Sequence, residues 1–484
     1  MVLLPKPALA PLTARVLPMG LAAAFALSAC GSDSGSDTPA AKPKADAAAD
    51  TTADTADAAA DIAGDTSATA GDAEGSTDWK AAFDHVFPQD RVVDLRLTFA
   101  PGDWAKLLLD WQQNQKKTEF AAAFFFDGET LAAIGVRLKG LNGLNLPDGP
   151  INLAGKYPLK LDFNAQGGAR FHGVDTLSLN TNSQDPSMMR ERLALQMYQA
   201  MGIPASRAAY AKLQVDGKAV GLYNAVQVLD KRYLKERFGT AAGADDGNLY
   251  KCVYNGDNIC MLGWRGDKKS DYYRTDCPPG FDECGFVQKT NEDDAALNSY
   301  ADLIELIRVI NQTPDEQFAA ELAKVFDVEA FVRVAAVAYA ISNHDSYFGK
   351  GHNYYLYRHP GSGKFQYLPW DLDLTYGTTS CAAPATDPTC GSLDNHLLIK
   401  RVLAVPKWRQ AYLQDLQQVV DQYLTVAQHQ LWIGKLDALL AGELAAAPNG
   451  PDPAAYQAAR DEVLAFVQAR RSDLLAKLAE LQEP

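Results

Sequence analysis

The sequence predicts an α+β fold in one large domain, β-rich in its N-terminal part and mostly helical in its C-terminal part. Two patterns predict it. Runs such as "VVDLRLTFA" and "YPLKLDFN" alternate apolar and polar residues, the period of a half-buried strand, and they fall early in the chain. Later runs such as "NSYADLIELIRVINQ", and nearly everything after residue 400, repeat apolar residues every three or four, the period of a helix with one buried face. At 484 residues the chain is long enough for a large core.

In chain order, residues 1–29 read as an export signal. Lys6 and Arg15 precede an apolar run that ends in small residues. The end of that run, "LSAC" at Leu27 to Cys30, resembles the lipobox of bacterial lipoproteins, which implies lipidation at Cys30. Gly31, where an Asp would favour inner-membrane retention, points to outer-membrane or cell-surface placement. Residues 30–77 are rich in Ala, Asp, Thr, Gly and Ser and lack aromatic residues. Such a segment cannot bury enough apolar surface to offset chain entropy, so a disordered, self-repelling tether is expected. Over 31–77 ten acids face Lys42 and Lys44, a balance of −8; the leader carries +2, so −9 of the total −15 falls on residues 78–484. That acidic balance argues against nucleic acid as a partner.

The folded part is expected over 78–484. After the strand "VVDLRLTFA", "PGDWAKLLLDWQQNQ" has Pro and Asp at a helix start. "TEFAAAFFFDGETLAAIGVRLKG" and "YAKLQVDGKAVGLYNAVQVL" read as hairpins turning at Asp127-Gly128 and Asp216-Gly217. "DPSMMRERLALQMYQAMG" reads as a helix with Asp185 as N-cap, Pro186 in the first turn and Gly202 as its stop. "KRYLKERFG" is a short helix. Residues 251–295, rich in Gly, Asp and Cys, read as an irregular Cys-rich insertion or functional loop. "VEAFVRVAAVAYAISN" is a helix, and "HNYYLYRH" and "KFQYLPWDLDLTYG" read as a strand pair around "PGSG". Cys252, Cys260, Cys277, Cys284, Cys381 and Cys390 are an even set in an exported chain, which suggests disulfides. Six cysteines allow fifteen pairings. Their clustering favours 252 with 260, 277 with 284 and 381 with 390, and their spacings lack the short Cys-x-x-Cys pairs of zinc sites.

Two constellations carry chemistry. "AISNHDSYFGKGHNYYLYRHPGSGKFQYLPWDLD" gathers Asn343, Asp345, Asn353, Asp371 and Asp373. If the last segment is a strand, Asp371 and Asp373 point to one face, where like charges repel unless a cation lies between them. Carboxylate and amide oxygens suit Mg²⁺, which prefers hard oxygen donors. A capping Asp, a turn Asn and a solvated strand face account for the same residues equally well. The second constellation is basic. Arg137 and Lys139 share a strand face ahead of Gly140, and Lys160 shares one with Asp162. A lysine beside a glycine turn can hold phosphates, although exposed edge-strand charges are the commoner meaning. Arg190 and Glu191 are candidates to pair with a group across the site.

Taken together, "VVDLRLTFAPGDW", "DGETLAAIGVRLKG", "YPLKLDFN", "LSLNTNSQDPSMMRERLALQMYQAMGIP", "VDGKAVGLYNAVQVLDKRYL", "GNLYK", "SNHDSYFGKGHNYYLY" and "YLPWDLDLTYG" resemble the spore coat protein H (CotH) kinase family, in that family's order, over residues 85–475. The resemblance implies an atypical, exported protein-kinase-like fold. It implies transfer of phosphate from ATP, with Mg²⁺ or Mn²⁺, to Ser or Thr of extracytoplasmic proteins. In its terms Asp345 is the catalytic-loop aspartate, Asn353 its companion, and Asp371 the metal-binding aspartate with Asp373 beside it. Lys160 is the best match for the phosphate-contacting lysine, and Arg137 and Lys139 match the basic glycine turn. Arg470 or Arg471 fits the C-terminal helix. Two features depart from the pattern. Asp345 and Asn353 lie further apart than in HRDxxxxN kinases, and Gln227 stands where many relatives carry Glu. The alternative is a non-catalytic cell-envelope binding or scaffold lipoprotein on the same fold, with its acidic site taking Ca²⁺ or no ion. A carbohydrate-binding role for Tyr354, Tyr355, Tyr357 and Trp370 is weaker, because aromatics on alternating strands more often fill a core.

Overall fold

The computed structural model describes residues 79–140, 144, 150–167, 170–253, 258–378, 381 and 383–481. The leader, Cys30 and the tether over 30–77 lie outside the described residues. The first half is built on seven strands: β1 (Val93–Phe99), β2 (Phe120–Phe126), β3 (Glu129–Leu138), β4 (Leu159–Asp162), β5 (Thr176–Asn180), β6 (Ala208–Val215) and β7 (Lys218–Gln227). They close into a barrel in the order β1-β2-β3-β4-β5-β7-β6. Every pairing is antiparallel except the closing one, where β1 runs parallel to β6 with Leu95 opposite Leu213. The sequence alternation is read directly: Val93, Leu95, Leu97 and Phe99 are buried, and Asp94, Arg96 and Thr98 face out. Each such buried Leu stabilises by about 1.5–3 kcal/mol. Asp127 and Gly128 have φ of 47° and 103°, the two positive values of a type I′ hairpin turn.

Helix α1 (Trp79–Val86) precedes the barrel, and α2 (Asp103–Asn114) covers β2 and β3 through Trp104, Leu107, Leu108 and Trp111. Helix α3 (Arg190–Ala200) lies outside the barrel beside β5 and β7, followed by α4 (Lys231–Phe238). Asp230 caps α4, its carboxylate accepting the Arg232 and Tyr233 N–H groups. Strands β5, β6 and β7 are buried on both faces. Leu177, Ala209 and Tyr223 join the barrel interior, while Tyr210, Leu222 and Val226 join the larger core behind it.

That larger core is covered by a second sheet of β8 (Leu249–Val253), β9 (Tyr273–Arg274), β10 (Cys284–Gln288), β11 (Tyr354–His359) and β12 (Lys364–Pro369), in the order β12-β11-β8-β10-β9. Around it pack α5 (Ala301–Gln312), α6 (Asp315–Val325), α7 (Val328–Ala340), α8 (Leu397–Ala404), α9 (Pro406–Gln418), α10 (Val426–Leu440) and α11 (Pro453–Glu480). Helix α7 is buried along most of its length, its apolar sequence interrupted by charge at Glu329 and Arg333.

The architecture is therefore α+β, with strands early and helices late, and the disulfides are the three local pairs. Four expectations are corrected. The closed barrel was not anticipated. Residues 251–295 are not simply an irregular insertion, because β8 and β10 lie inside the second sheet. The helix expected from Asp185 begins at Arg190, because the Asp185 carboxylate instead accepts the Arg190 N–H at 2.9 Å and its guanidinium at 2.6 Å. The strand expected over 367–377 ends at Pro369. Its partner β11 starts at Tyr354, and beyond that pair Asn353 and Asp371 take left-handed φ of 57° and 58°, which turns both chains out of the ladder.

Candidate active site

The site is assembled where α7 ends. The chain leaves the helix through Ser342 at φ 53°, then folds the loop 343–352 back on itself. The Ser346 hydroxyl donates to the Asn343 carbonyl at 2.7 Å, and Gly351 N–H donates to the Ser346 carbonyl at 2.9 Å. Gly349 lies so close to the His344 carbonyl that a Cβ there would run into it. Tyr347, Phe348, Tyr354 and Tyr367 form the buried aromatic floor, with Tyr354 and Tyr367 stacked at 4.9 Å. The loop's product is a fixed Asp345. Asn353 donates its side-chain N–H groups to the Asp345 carbonyl at 2.8 Å and its carboxylate at 3.0 Å. Lys350 Nζ and His352 Nε2 approach the other carboxylate oxygen at 3.0 and 3.2 Å. Burial pushes this carboxyl up, but His352 and Lys350 outweigh it and hold the group below the ordinary carboxylate range. Burial pushes His352 down, and the Asp345 carboxylate reverses this, leaving the imidazole above its ordinary value.

The segment after β12 is pinned against this loop. Trp370 N–H donates to the Asn353 carbonyl at 3.3 Å and Tyr376 N–H to the Ile341 carbonyl at 2.8 Å, with Leu372 and Tyr376 buried as anchors. Asp371 and Asp373 are held between those anchors, so a loop rather than a strand brings them together. Asp373 is pushed well above the carboxylate range by burial first, then by Asp371, Glu191 and Asp345, with Lys139 opposing. Glu191, in the first turn of α3, is fully enclosed. Asn180 donates to its two oxygens at 2.9 and 3.0 Å and Asn224 to one at 3.1 Å. Burial and Asp371 raise its pKa against those amides. Asn180 and Asn224 are register partners on β5 and β7 and face away from the barrel interior.

Opposite the carboxylates stands a basic wall. Lys139, just after β3, donates to Asn180 Oδ1, which links it to Glu191 through one amide. Its ammonium lies 5.9 Å from the Trp370 ring, and Lys251 on β8 lies 5.5 Å from the same ring. Burial, then Lys289 and Lys139, push Lys251 down to about 7; Asp371 pulls it up, and Arg137 adds to the lowering. Lys160 is the cross-strand partner of Arg137, and burial followed by Arg137 lowers its pKa. Its nearest acid is Asp162, at 3.8 Å.

Of the residues singled out in the sequence, Asp345, Asn353, Asp371, Asp373 and Lys139 meet in one place. Arg137 and Lys160 stand further along the basic wall. Gln227 is elsewhere: it donates to Glu236 at 2.7 Å and accepts the Arg207 N–H at 3.1 Å. Arg190 pairs with Asp185. Arg470 lies under α7, donating to the carbonyls of Tyr339 and Cys381 at 2.8 and 3.1 Å, whereas Arg471 donates to Val420. Tyr354, Tyr355 and Tyr357 are buried, so they fill the core. Sequence reasoning missed Asn180, Asn224, Lys251 and the central place of Glu191. Their signal was weak: Asn180 and Asn224 are polar residues inside otherwise apolar strand runs.

Carboxylates are the hard oxygen donors a divalent cation takes, but among the described residues no three of these acids bring their ligand oxygens within 4.8 Å of one another, so an ion would have to draw them together. Carboxylates from two loops converge, and their mutual crowding is what a cation would relieve. The crowded ammonium groups facing them fit a polyanion. A surface cavity of about 380 Å³ lined by Asn248, Asp302 and Arg358 lies at the far end of β11 and contains none of these groups.

The sequence model of the CotH kinase protein family matches residues 148–474. The chain is 28% identical over 258 residues to inner spore coat protein H of Bacillus subtilis (strain 168), covering 53% of this chain and 65% of that protein. It is 26% identical over 217 residues to invasin CotH2 of Rhizopus delemar, covering 42% of this chain and 34% of the invasin. Invasin CotH3 of the same organism is 26% identical over 225 residues, 44% of this chain and 34% of the invasin. The matches thus span just under two thirds of the Bacillus protein and about a third of each invasin.

Proposed function

The chain belongs to the CotH kinase protein family, and we propose that it is an ATP- and divalent-metal-dependent protein kinase of the cell envelope. Its acceptors are Ser or Thr hydroxyls of extracytoplasmic proteins, and lipid on Cys30 holds it to a membrane. The observation that carries the reading is the meeting of Asp345, Asp371 and Asp373 with Lys139 and Lys251. Burial and neighbouring acids push Asp373 toward neutrality, burial and neighbouring cations push Lys251 the same way, and a metal-bound polyphosphate is the ligand that answers both.

Phosphoryl transfer asks a protein for position and charge neutralisation more than for covalent chemistry. Asp371, with Asp373 beside it, would hold Mg²⁺ or Mn²⁺, which supplies positive charge on the phosphate oxygens. Lys139, at the end of β3 in the barrel, and Lys251, on β8 of the second sheet, neutralise the phosphates, with Arg137 and Lys160 extending that wall. Asn180 and Glu191 fix the Lys139 ammonium, so the barrel and α3 share one cation. Asp345 orients the acceptor hydroxyl and accepts its proton. Its low pKa makes it a weak base, which suits a loose transition state in which the hydroxyl loses its proton late. His352 and Asn353 keep that carboxylate in one orientation.

The test is calorimetric. ATP with Mn²⁺ is expected to bind the protein one to one. Asp371→Asn is expected to abolish that binding while changing metal-free stability by less than about 1 kcal/mol or raising it, because a crowded carboxylate is lost. Absence of ATP binding with either Mg²⁺ or Mn²⁺ contradicts the reading. Stabilisation by Ca²⁺ alone, with nothing added by ATP, favours the non-catalytic binding protein instead.

A further inference from the structure

A second cluster of metal-ligand chemistry stands at the opposite mouth of the barrel. His85 comes from the last turn of α1, Glu129 is the first residue of β3, and His172 sits in the turn between the bridged residues Phe171 and Val174. Three separate segments thus bring two imidazoles to one carboxylate. His85 Nε2 lies 2.6 Å from Glu129 Oε1, and His172 Nε2 lies 2.8 Å from Glu129 Oε2. The ligand atoms of all three lie within 4.8 Å of one another. The rings are 4.1 Å apart between centroids. Phe126 and Phe171, both buried, wall the cluster at 5.9 and 6.3 Å from the His85 ring. Solvent reaches it from outside, since each of the three side chains is about a third exposed.

Two features set the cluster apart from a surface ion pair. The His85 Nε2 contact with Glu129 is close but falls outside strict hydrogen-bond geometry. His172 is held at φ 47°, a conformation that costs a non-glycine residue free energy. The cluster is also independent of the site described above. Glu129 and Leu138 are the two ends of β3, so Lys139 is roughly 30 Å away along the strand.

We propose that His85, Glu129 and His172 bind one Zn²⁺, with water in the fourth position, and that the ion clamps α1 to the barrel. Two imidazole nitrogens and one carboxylate oxygen are a three-residue set that Zn²⁺ accepts, leaving one position open.

The test uses the full chain, freed of metal by a chelator. Zn²⁺ titrated into the Asp371→Asn variant, whose carboxylate site is impaired, is expected to bind one equivalent and to raise the melting temperature. Co²⁺ is expected to give visible absorption of a tetrahedral or five-coordinate site. His172→Asn, which keeps a residue tolerant of left-handed φ, and His85→Gln are each expected to lose at least tenfold in Zn²⁺ affinity and to lose the cobalt spectrum. Their metal-free melting temperatures serve as the folding control. No Zn²⁺ binding by Asp371→Asn overturns the proposal, as does unchanged binding in both histidine variants.

Discussion

Asp345 and His352 form the pair through which pH reaches the site. The carboxyl is held below its ordinary value and the imidazole above its own. For the aspartate, stabilisation is present above about pH 4 and is lost as pH falls through the lowered folded pKa. For the histidine, it is present below about pH 6.5 and is lost as pH rises through the raised folded pKa. The pair therefore contributes most between those limits. The difference in melting temperature between the protein and its His352→Gln variant is expected to be largest near pH 5.5 and to shrink by about pH 9. A difference that grows with pH contradicts the pairing. At this scale the sequence grouped Asp345, Asn353 and Asp371 in one constellation, and the fold brings these segments together. The sequence was uninformative about Lys251 and Glu191, whose roles depend on which strand and helix they are set against.

Among the elements, local chemistry was readable and long-range pairing was not. The Asp127-Gly128 and Asp216-Gly217 turns specify their hairpins within a few residues, and the three disulfides join cysteines seven to nine residues apart. The start of α3 was misread because Asp185 serves Arg190 instead of capping at its own position. The end of β12 was misread because apolar alternation continues through "WDLDL" after the ladder has lost its partner strand. Barrel closure joins β1 to β6 across more than a hundred residues and has no local signature. The loop bridged by Cys381 and Cys390 sits against the loop 343–352, with Cys390 Sγ 2.5 Å from His344 Nε2. Replacing both cysteines by serine is expected to cost about 2–3 kcal/mol, the range for a short bridged loop. Chemical denaturation checks the magnitude. A change below about 0.5 kcal/mol would mean that the bridge constrains little of the folded chain.

Across the molecule, the barrel at Lys139 and the second sheet at Lys251 supply cations, the loops after α7 and β12 supply carboxylates, and α11 packs against the end of α7. Arg470 on α11 is buried, stacks over Tyr339 at 4.4 Å and donates to the Tyr339 carbonyl near the end of α7, just before the loop 343–352. Arg470→Ala removes the guanidinium's bonds to the Tyr339 and Cys381 carbonyls and to Asp473 and is expected to destabilise by about 2–4 kcal/mol, with phosphate transfer falling as well. Arg470→Lys is expected to restore only part of both, since a single ammonium cannot reproduce the planar fork. Full stability in the alanine variant contradicts the bracing role. The most direct test of the central claim is transfer of labelled γ-phosphate from ATP, with Mg²⁺ or Mn²⁺, to the protein itself or to a generic Ser/Thr acceptor. The account predicts incorporation by the unmodified chain and its loss in Asp345→Asn and Asp371→Asn variants that still melt cooperatively. No incorporation with either metal, or equal incorporation by those variants, would contradict it.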